Sequence, residues 1–301
     1  KALKKAIKAG ADEPPTLHPV IDPAKCAGCG ACTRVCPEGD ILKMINAKAV
    51  LVSPSKCVGH GECERACPFG AIDLVFGTKT RGIELPRVSG DYETNVPGLY
   101  IAGELGGMGL IRNAIKQGVA AAEHAIKNIE TSERTDYDLI IVGAGPAGLA
   151  ASLSANMAKV KYTCLEQTSL GGTVYNFPRQ KVVMSHPANL PGIGPMKFAS
   201  NKVSKEELLQ YWEKVRKKAN LSIVENVKFE SLEKVGDIFK VKTSLGQMSA
   251  KKVLLCMGVR GSPRRLGLKN EDSTKVAYNL LDPEQYQGKH VTVVGGGNAG
   301  V

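Results

Sequence analysis

Seven of the nine cysteines fall between Cys26 and Cys67. That density is a ligand pattern and not the scatter of buried thiols. Cys26, Cys29, Cys32 and Cys36 stand at C-x2-C-x2-C-x3-C, with Pro37 next. Cys57, Cys63 and Cys67, followed by Pro68, repeat that frame with His60 where its second cysteine belongs. Three thiolates on one loop each reach a different iron of one cube, and the fourth, displaced by three residues, points away to ligate another. On that rule Cys26, Cys29, Cys32 and Cys67 hold one cluster. Cys36, Cys57 and Cys63 hold a second, with His60 in the open place. Gly28, Gly30, Ala31 and Gly59 are small enough to leave backbone amides free to approach the sulfides. Zinc and disulfides are the alternatives. Zinc sites mostly take two separated ligand pairs. Disulfides do not account for two Cys-Pro frames of matching spacing, and a reducing cytosol keeps thiols free.

The stretch from about Leu17 to Thr78 resembles a two-cluster bacterial ferredoxin domain, and departs from it at His60. The resemblance implies two iron–sulfur clusters, the first of 4Fe-4S type. The second is either a 4Fe-4S cluster with imidazole ligation by His60 or a 3Fe-4S cluster, unless no second cluster forms. Histidine in place of thiolate raises a cluster's potential. The plain alternative is a solvated loop histidine, since Gly59 and Gly61 flank it. Cys164 and Cys256 lie in apolar strand-like contexts and are expected to be buried and inert.

A second chemical pattern begins at Tyr137. Leu139 to Val142 reads as a short buried strand, and Gly143, Gly145 and Gly148 form G-x-G-x-x-G with Pro146 and Ala147 between them. A small-residue helix and a second strand ending at Glu166 follow. In such a βαβ unit the first glycine permits the turn and the second lets a pyrophosphate approach the helix N-terminus. The third allows close helix–strand packing, and the acid takes ribose hydroxyls. Strand, helix and acid in register make the pattern specific. Gly171 and Gly172 follow, then a helix from Ser204 to Lys218, where Ser204 and Glu207 form a capping box. A strand meander from about Leu221 to Met257 ends at Gly258. Val291 to Val294 is predicted to be a strand opening a second fingerprint at Gly295, Gly297 and Gly300.

This order resembles the thioredoxin-reductase-like flavoproteins, and the run Gly171-Gly172-Thr173-Val174-Tyr175 is similar to relatives of bacillithiol-disulfide reductase. The resemblance implies FAD held by Gly143, Gly145, Gly148 and Glu166, with Gly171 and Gly172 nearer the flavin. It implies an NADPH or NADH site beginning at Gly295, Gly297 and Gly300. No cysteine pair follows Glu166, so the glutathione-reductase type of dithiol is absent from that place. In the same family a strand-Gly-Asp unit comes last and contacts the ribityl chain. Here the corresponding unit, with Gly103 and Glu104 before a helix from about Leu110, precedes the opening strand. Either the fold is circularly permuted, or residues 81–130 end an upstream module with the ferredoxin segment inserted there. The tandem arrangement is the preferred expectation, and an ordinary amphipathic βα unit is the plain one.

The composition fits a globular α/β chain: 43% apolar and 23% charged residues over 301 positions. Length allows about two domains. The formal charge is +11, but it is spread, and no basic tract interleaved with aromatics points to nucleic acid. Leu139 to Ala158 carries no charge, yet Gly143, Gly145, Pro146 and Gly148 break it, so no membrane span is expected. Lys1 to Gly10 is basic without an apolar core after it, so no signal peptide is read. Both ends look cut.

The expected organisation is a basic segment over 1–16, a ferredoxin-like α+β domain over 17–78 and a closing element over 79–130. An FAD domain of Rossmann-like parallel α/β type follows over 131–286, and the start of an NAD(P) domain over 287–301. The expected function is flavin-dependent transfer of electrons between NAD(P)H and iron–sulfur clusters, and onward to an electron-transfer protein or small acceptor. A disulfide or thiol reductase with accessory clusters, and a non-catalytic wiring subunit like the glutamate-synthase small subunits, are the alternatives. The compartment is read as cytoplasmic, and the assembly as a homodimer or a subunit of a larger complex.

Overall fold

In the computed structural model, residues 18–36, 38–57, 59, 61–75, 86–106, 110–129, 134–184, 187–200, 202–259, 265–271, 273, 275–278 and 280–295 are described. The basic N-terminal segment, Pro37, His60, Gly297 and Gly300 lie outside them.

The first unit is built from two short strand–loop–helix repeats. Strand β1 (His18–Ile21) leads into helix α1 (Ala31–Val35), and β2 (Leu42–Ile45) pairs with β3 (Lys48–Leu51) in an antiparallel hairpin. Asn46 and Ala47 both take positive φ at its tip, the conformation a two-residue turn matched to strand twist requires. Helix α2 (Glu62–Arg65) and β4 (Ile72–Val75) complete the repeat, with β4 antiparallel to β1. Cys32 of α1 and Cys63 of α2 are buried together with Leu42, Ala49 and Ile72. The ligand cysteines are therefore a large part of this unit's small core.

The second unit is an α/β sandwich. It contains β5 (Leu99–Ile101), α3 (Ile111–Lys127), β6 (Tyr137–Val142), α4 (Pro146–Met157) and β7 (Tyr162–Leu165). The short strands β8 (Val182–Met184), β9 (Ala188–Leu190), β10 (Gly194–Met196) and β11 (Lys202–Ser204) then pair as β8–β11 and β9–β10. Helix α5 (Lys205–Ala219) follows, then β12 (Ile223–Val224), β13 (Phe229–Val235), β14 (Ile238–Thr243) and β15 (Gly246–Leu255).

The main sheet runs β12-β7-β6-β15-β14-β13. Strands β6 and β7 are apolar along almost their whole length because a parallel sheet is covered on both faces. In contrast β14 alternates, burying Phe239, Val241 and Thr243 and exposing the lysines between them. The meander comprises β13 to β15 only, because β12 pairs parallel with β7 instead. Helix α5 starts as the capping box predicts: the Glu207 amide donates to Ser204 Oγ at 3.1 Å.

The unit that precedes β6 in sequence lies in this same sheet. β5 runs parallel to β15, with Val253 to Leu255 opposite Leu99 to Ile101. Helix α3 lays Ala114, Ile115, Gly118, Ala121, Ala122 and Ala125 against the body of the fold. A Cβ on Gly118 would collide with the Ala147 carbonyl, so α3 and α4 pack backbone to backbone. The tandem expectation assigned this unit to a different module, whereas here its strand and helix complete the hydrogen bonding and cover of the sheet that β6 opens.

The predicted strand at Val291 to Val294 is not formed. Val291, Val293 and Val294 are 55%, 62% and 68% exposed, and no described strand pairs with them. A parallel strand draws its stability from neighbours on both edges and faces, and the described residues supply none. Leu139 to Ala158 is the expected strand, turn and helix, and no helix among the described residues is long and apolar enough to cross a membrane.

Candidate cluster and dinucleotide sites

Two cavities open inside the first unit, and the cysteines divide between them. One, of about 310 Å³, is lined by Cys26, Cys29, Cys32 and Cys67 with Gly28, Gly30 and Ala31. The other, of about 360 Å³, is lined by Cys36, Cys57 and Cys63 with Gly59 and Gly61. This is the division the spacing predicts, including the crossing of Cys36 and Cys67 between the two halves. Positive φ at Gly28, Gly30, Gly59 and Gly61 turns the ligand loops around the cavities. All nine cysteines are free thiols.

The thiols feel one another in the same groups. Burial pushes Cys32 up, and Cys26, Cys29 and Cys67 add to it. Burial pushes Cys63 up to about 11, with Cys57 and Cys36 adding. Backbone hydrogen bonds from Ala49 and Gly28 hold Cys26 below its usual value. The Ala71 amide donates to Cys67 Sγ at 3.3 Å, and Lys48 Nζ donates to the Cys26 carbonyl at 2.6 Å. Crowded thiolates are costly unless a cation joins them, so each set is suited to a metal centre. Among the described residues no three candidate ligands converge on a single-ion position. Cys26, Cys29, Cys32 and Cys67 line one cavity, and Cys36, Cys57 and Cys63 the other.

The glycine loop lies between β6 and α4. Gly143 has φ +98°, and its amide donates to the Leu165 carbonyl at 2.7 Å. A Cβ there would meet the Cys256 carbonyl oxygen at 2.6 Å, and a Cβ on Gly148 would collide with the Gly143 carbonyl. Gly145 differs. Its φ of −71° suits any residue, and nothing lies within 4 Å of its missing Cβ. The folded chain itself does not require a glycine there. The open cradle lies at the start of a 12-residue helix headed by Pro146 and Ala147, a geometry suited to an anion.

Glu166 is buried beside the loop. Its carboxylate accepts from the Ala144 amide at 2.8 Å and the Thr168 amide at 2.9 Å. It therefore braces the glycine loop. Gly171 donates its amide to the Ala144 carbonyl at 2.9 Å, and Gly172 lies against Gly145. From the other side, Gly103 takes φ +84° and donates to Gln117 Oε1 at 2.9 Å. Its missing Cβ would lie 3.2 Å from Ala147 Cβ, and Glu104 Oε2 lies 3.8 Å from the Cβ position of Gly258. The carboxyl ends of β5, β6 and β15 thus gather Gly103, Glu104, Gly145 and Gly258 at one mouth, the position where open α/β sheets bind ligands. Gly295 is exposed.

The first unit meets this mouth through α2. A methyl on Gly61 would lie 3.4 Å from Leu110 Cδ1, at the N-cap of α3. Arg65 is held below its usual pKa by burial and by the charge of Arg112 in the first turn of α3. Arg112 Nε is buried without a hydrogen-bond partner among the described residues.

Sequence reasoning did not find several supporting residues. Gln117, Thr168 and Lys48 hold the loops named above. Glu225 accepts the Leu170 amide at 2.7 Å and pairs with Arg216 at 3.0 Å, steadying the segment before Gly171. Only Thr168, two residues after Glu166, carried a local signal. The others act across tens of residues of chain. Cys164 and Cys256 are buried as expected, burial pushing Cys164 up to about 12 and Cys256 well above its usual value.

Residues 140–301, more than half of the chain, match the family described as pyridine nucleotide-disulphide oxidoreductase. The chain belongs to that family. Residues 18–68 of this oxidoreductase chain also match the 4Fe-4S dicluster domain. The chain is 32% identical over 165 residues to a ferredoxin–NADP reductase of Ignicoccus hospitalis, covering 54% of this chain and 50% of the relative. It is 31% identical over 176 residues to one of Streptococcus mutans, covering 57% and 50%. The chain thus spans about half the length of the curated relatives it matches. Among solved structures it is similar to bacillithiol disulfide reductase of Staphylococcus aureus, with TM-score 0.43 and 21% identity over 50% of this chain and 46% of that one. It is also similar to thioredoxin reductase of T. acidophilum, with TM-score 0.35 and 24% identity over 46% and 40%.

Proposed function

We propose that this oxidoreductase chain forms the flavin and cluster part of an FAD-dependent NAD(P)H oxidoreductase, passing electrons between a nicotinamide cofactor and two iron–sulfur clusters. The observation that carries this reading is the pair of cysteine-lined cavities in the same chain as a glycine cradle that the fold itself does not require. The curated relatives bear the name ferredoxin–NADP reductase, which supports NADP(H) as the nucleotide and a ferredoxin-like carrier as its counterpart. Here a ferredoxin-like unit is part of the chain itself.

A bound FAD supplies the conversion between a two-electron hydride and one-electron carriers. The balance is one NADPH and two oxidised clusters giving NADP⁺, one proton and two reduced clusters. The chain's residues bind and position. Gly143, Gly145, Pro146, Ala147 and Gly148 present helix α4's N-terminus to the pyrophosphate, and Glu166 faces the ribose. Gly171, Gly172, Gly103 and Glu104 border the space beyond. Cys26, Cys29, Cys32 and Cys67 hold one cluster, and Cys36, Cys57 and Cys63 the other. The buried Cys164 and Cys256 thiols are poorly suited to act as an exchanging dithiol, which favours cluster reduction over disulfide reduction within this chain.

The test is anaerobic purification, a visible spectrum with flavin and iron analysis, and addition of NADPH or NADH. Flavin and cluster absorption both bleached by one nucleotide is the expected result. A protein without flavin, or one whose clusters stay oxidised when its flavin is reduced, overturns the reading.

A further inference from the structure

The two cavities are not equivalent with respect to the mouth at the carboxyl ends of β5, β6 and β15. The cavity of Cys36, Cys57 and Cys63 has Gly61 in its wall, and Gly61 is the residue packed on Leu110. Leu110 caps α3, whose Ala114 lies against Gly103, and Gly103 in turn lies against Ala147 of the glycine-loop helix. The wall of this cavity therefore comes close to the N-cap of α3, one helical turn before Ala114 and the mouth.

The other cavity also reaches the surface. Its wall includes Phe69, which is 50% exposed, and Cys29, an exposed cysteine. No described residue of the sheet unit lines either cavity, and the first differs in having Gly61, beside Leu110, in its wall.

We propose that the cavity of Cys36, Cys57 and Cys63 holds the cluster next to the dinucleotide mouth, and that the cavity of Cys26, Cys29, Cys32 and Cys67 holds the outer cluster, which exchanges electrons with an external one-electron carrier through the surface at Phe69. This rests on the function proposed above and adds an order to it: nicotinamide, flavin, inner cluster, outer cluster. Each inter-cluster step moves one electron, leaving the inner cluster oxidised and the outer one reduced.

The experiment uses the anaerobically purified protein with flavin and clusters in place. Cys63→Ser disables the inner cluster and Cys29→Ser the outer. After addition of NADPH or NADH and rapid freezing, electron paramagnetic resonance reads which cluster is reduced. Cys63→Ser is expected to leave the outer cluster oxidised while the flavin bleaches, and Cys29→Ser to leave the inner cluster reduced as in the parent. A second readout needs no turnover. Amide exchange over residues 111–114 is expected to rise roughly tenfold in Cys63→Ser, because the loop packed on Leu110 loses its anchor, and to stay at the parental level in Cys29→Ser. Leu110→Ala, which keeps every ligand, is expected to slow reduction of both clusters together. The reverse pattern in the two cysteine variants, or exchange at 111–114 that responds only to Cys29→Ser, overturns the order while leaving the proposed function standing. A protein whose flavin is reduced while both clusters stay oxidised overturns both.

Discussion

Gly145 and Gly148 offer a matched pair of substitutions with opposite expected consequences. In Gly145→Ala the new methyl enters open space at an ordinary φ of −71°. Removing glycine's freedom from the unfolded chain favours folding by about 0.4–1 kcal/mol. Alanine is a poorer N-cap than glycine by an amount of the same order. The two effects oppose, so the stability of the flavin-free protein is expected to change by no more than about 1 kcal/mol. FAD affinity is expected to fall by at least about tenfold, or about 1.4 kcal/mol, because the methyl occupies the space the pyrophosphate needs. Gly148→Ala reverses this. Its Cβ runs into the Gly143 carbonyl, a backbone atom of the loop that cannot rotate away. Alanine's helix propensity returns at most about 1 kcal/mol, against about 1–3 kcal/mol or more for forcing helix and strand apart. Net destabilisation is expected. Urea unfolding of the flavin-free proteins, with FAD titration followed by flavin fluorescence, separates the two effects. If Gly145→Ala destabilises the fold as much as Gly148→Ala, or binds FAD as the parent does, the assignment of Gly145 to a ligand is wrong.

Three further outcomes follow from the same geometry. Glu225→Ala leaves the Leu170 amide and Arg216 without their shared acceptor. It should lower stability by about 1–3 kcal/mol in urea titration, and an unchanged midpoint would show the pair to be solvated in solution. Iodoacetamide at neutral pH should modify exposed Cys29 in cluster-free protein while leaving Cys164 and Cys256 intact until the sheet unit unfolds, since burial raises both thiols. Mass spectrometry showing equal rates at all three would contradict their burial. Hydrogen bonds from the Ser249 hydroxyl and amide hold the Asp136 carboxyl below the usual carboxylate range. A depressed acid stabilises the fold above its unfolded pKa of about 3.9 and loses that contribution as pH falls through the folded value. Asp136→Asn should therefore unfold more readily than the parent at pH 7, with the difference shrinking below that range. A difference constant with pH would assign the effect to hydrogen bonding alone.

The sequence by itself determined which residues come together wherever their proximity depends on local spacing. A cluster loop is a few residues of backbone wrapped around one group, so cysteine spacing alone placed Cys67 with Cys26, Cys29 and Cys32 and Cys36 with Cys57 and Cys63, and the two cavities bring the same cysteines together. The βαβ unit from Tyr137 to Glu166 and the cap at Ser204 are likewise short-range, and both formed as read. Isolated strand patterns were less reliable. Val291 to Val294 has the composition of a buried strand, but a strand exists through its neighbours, and none of the described residues pairs with it.

Only the tertiary structure decided how distant segments combine. Nothing local to residues 88–127 states which sheet they join. Their place beside β15 follows from the fit of small residues on α3 against the backbone of α4, where Gly118 leaves room for the Ala147 carbonyl. The bracing of Gly103 by Gln117 and of Leu170 by Glu225 is invisible for the same reason, since each pair is brought together by packing. The contact of Gly61 with Leu110 is of this kind too. Ligand identity is a short-range property of the chain. The order in which two sites meet a third is a property of how its units pack, and no spacing in the sequence encodes it.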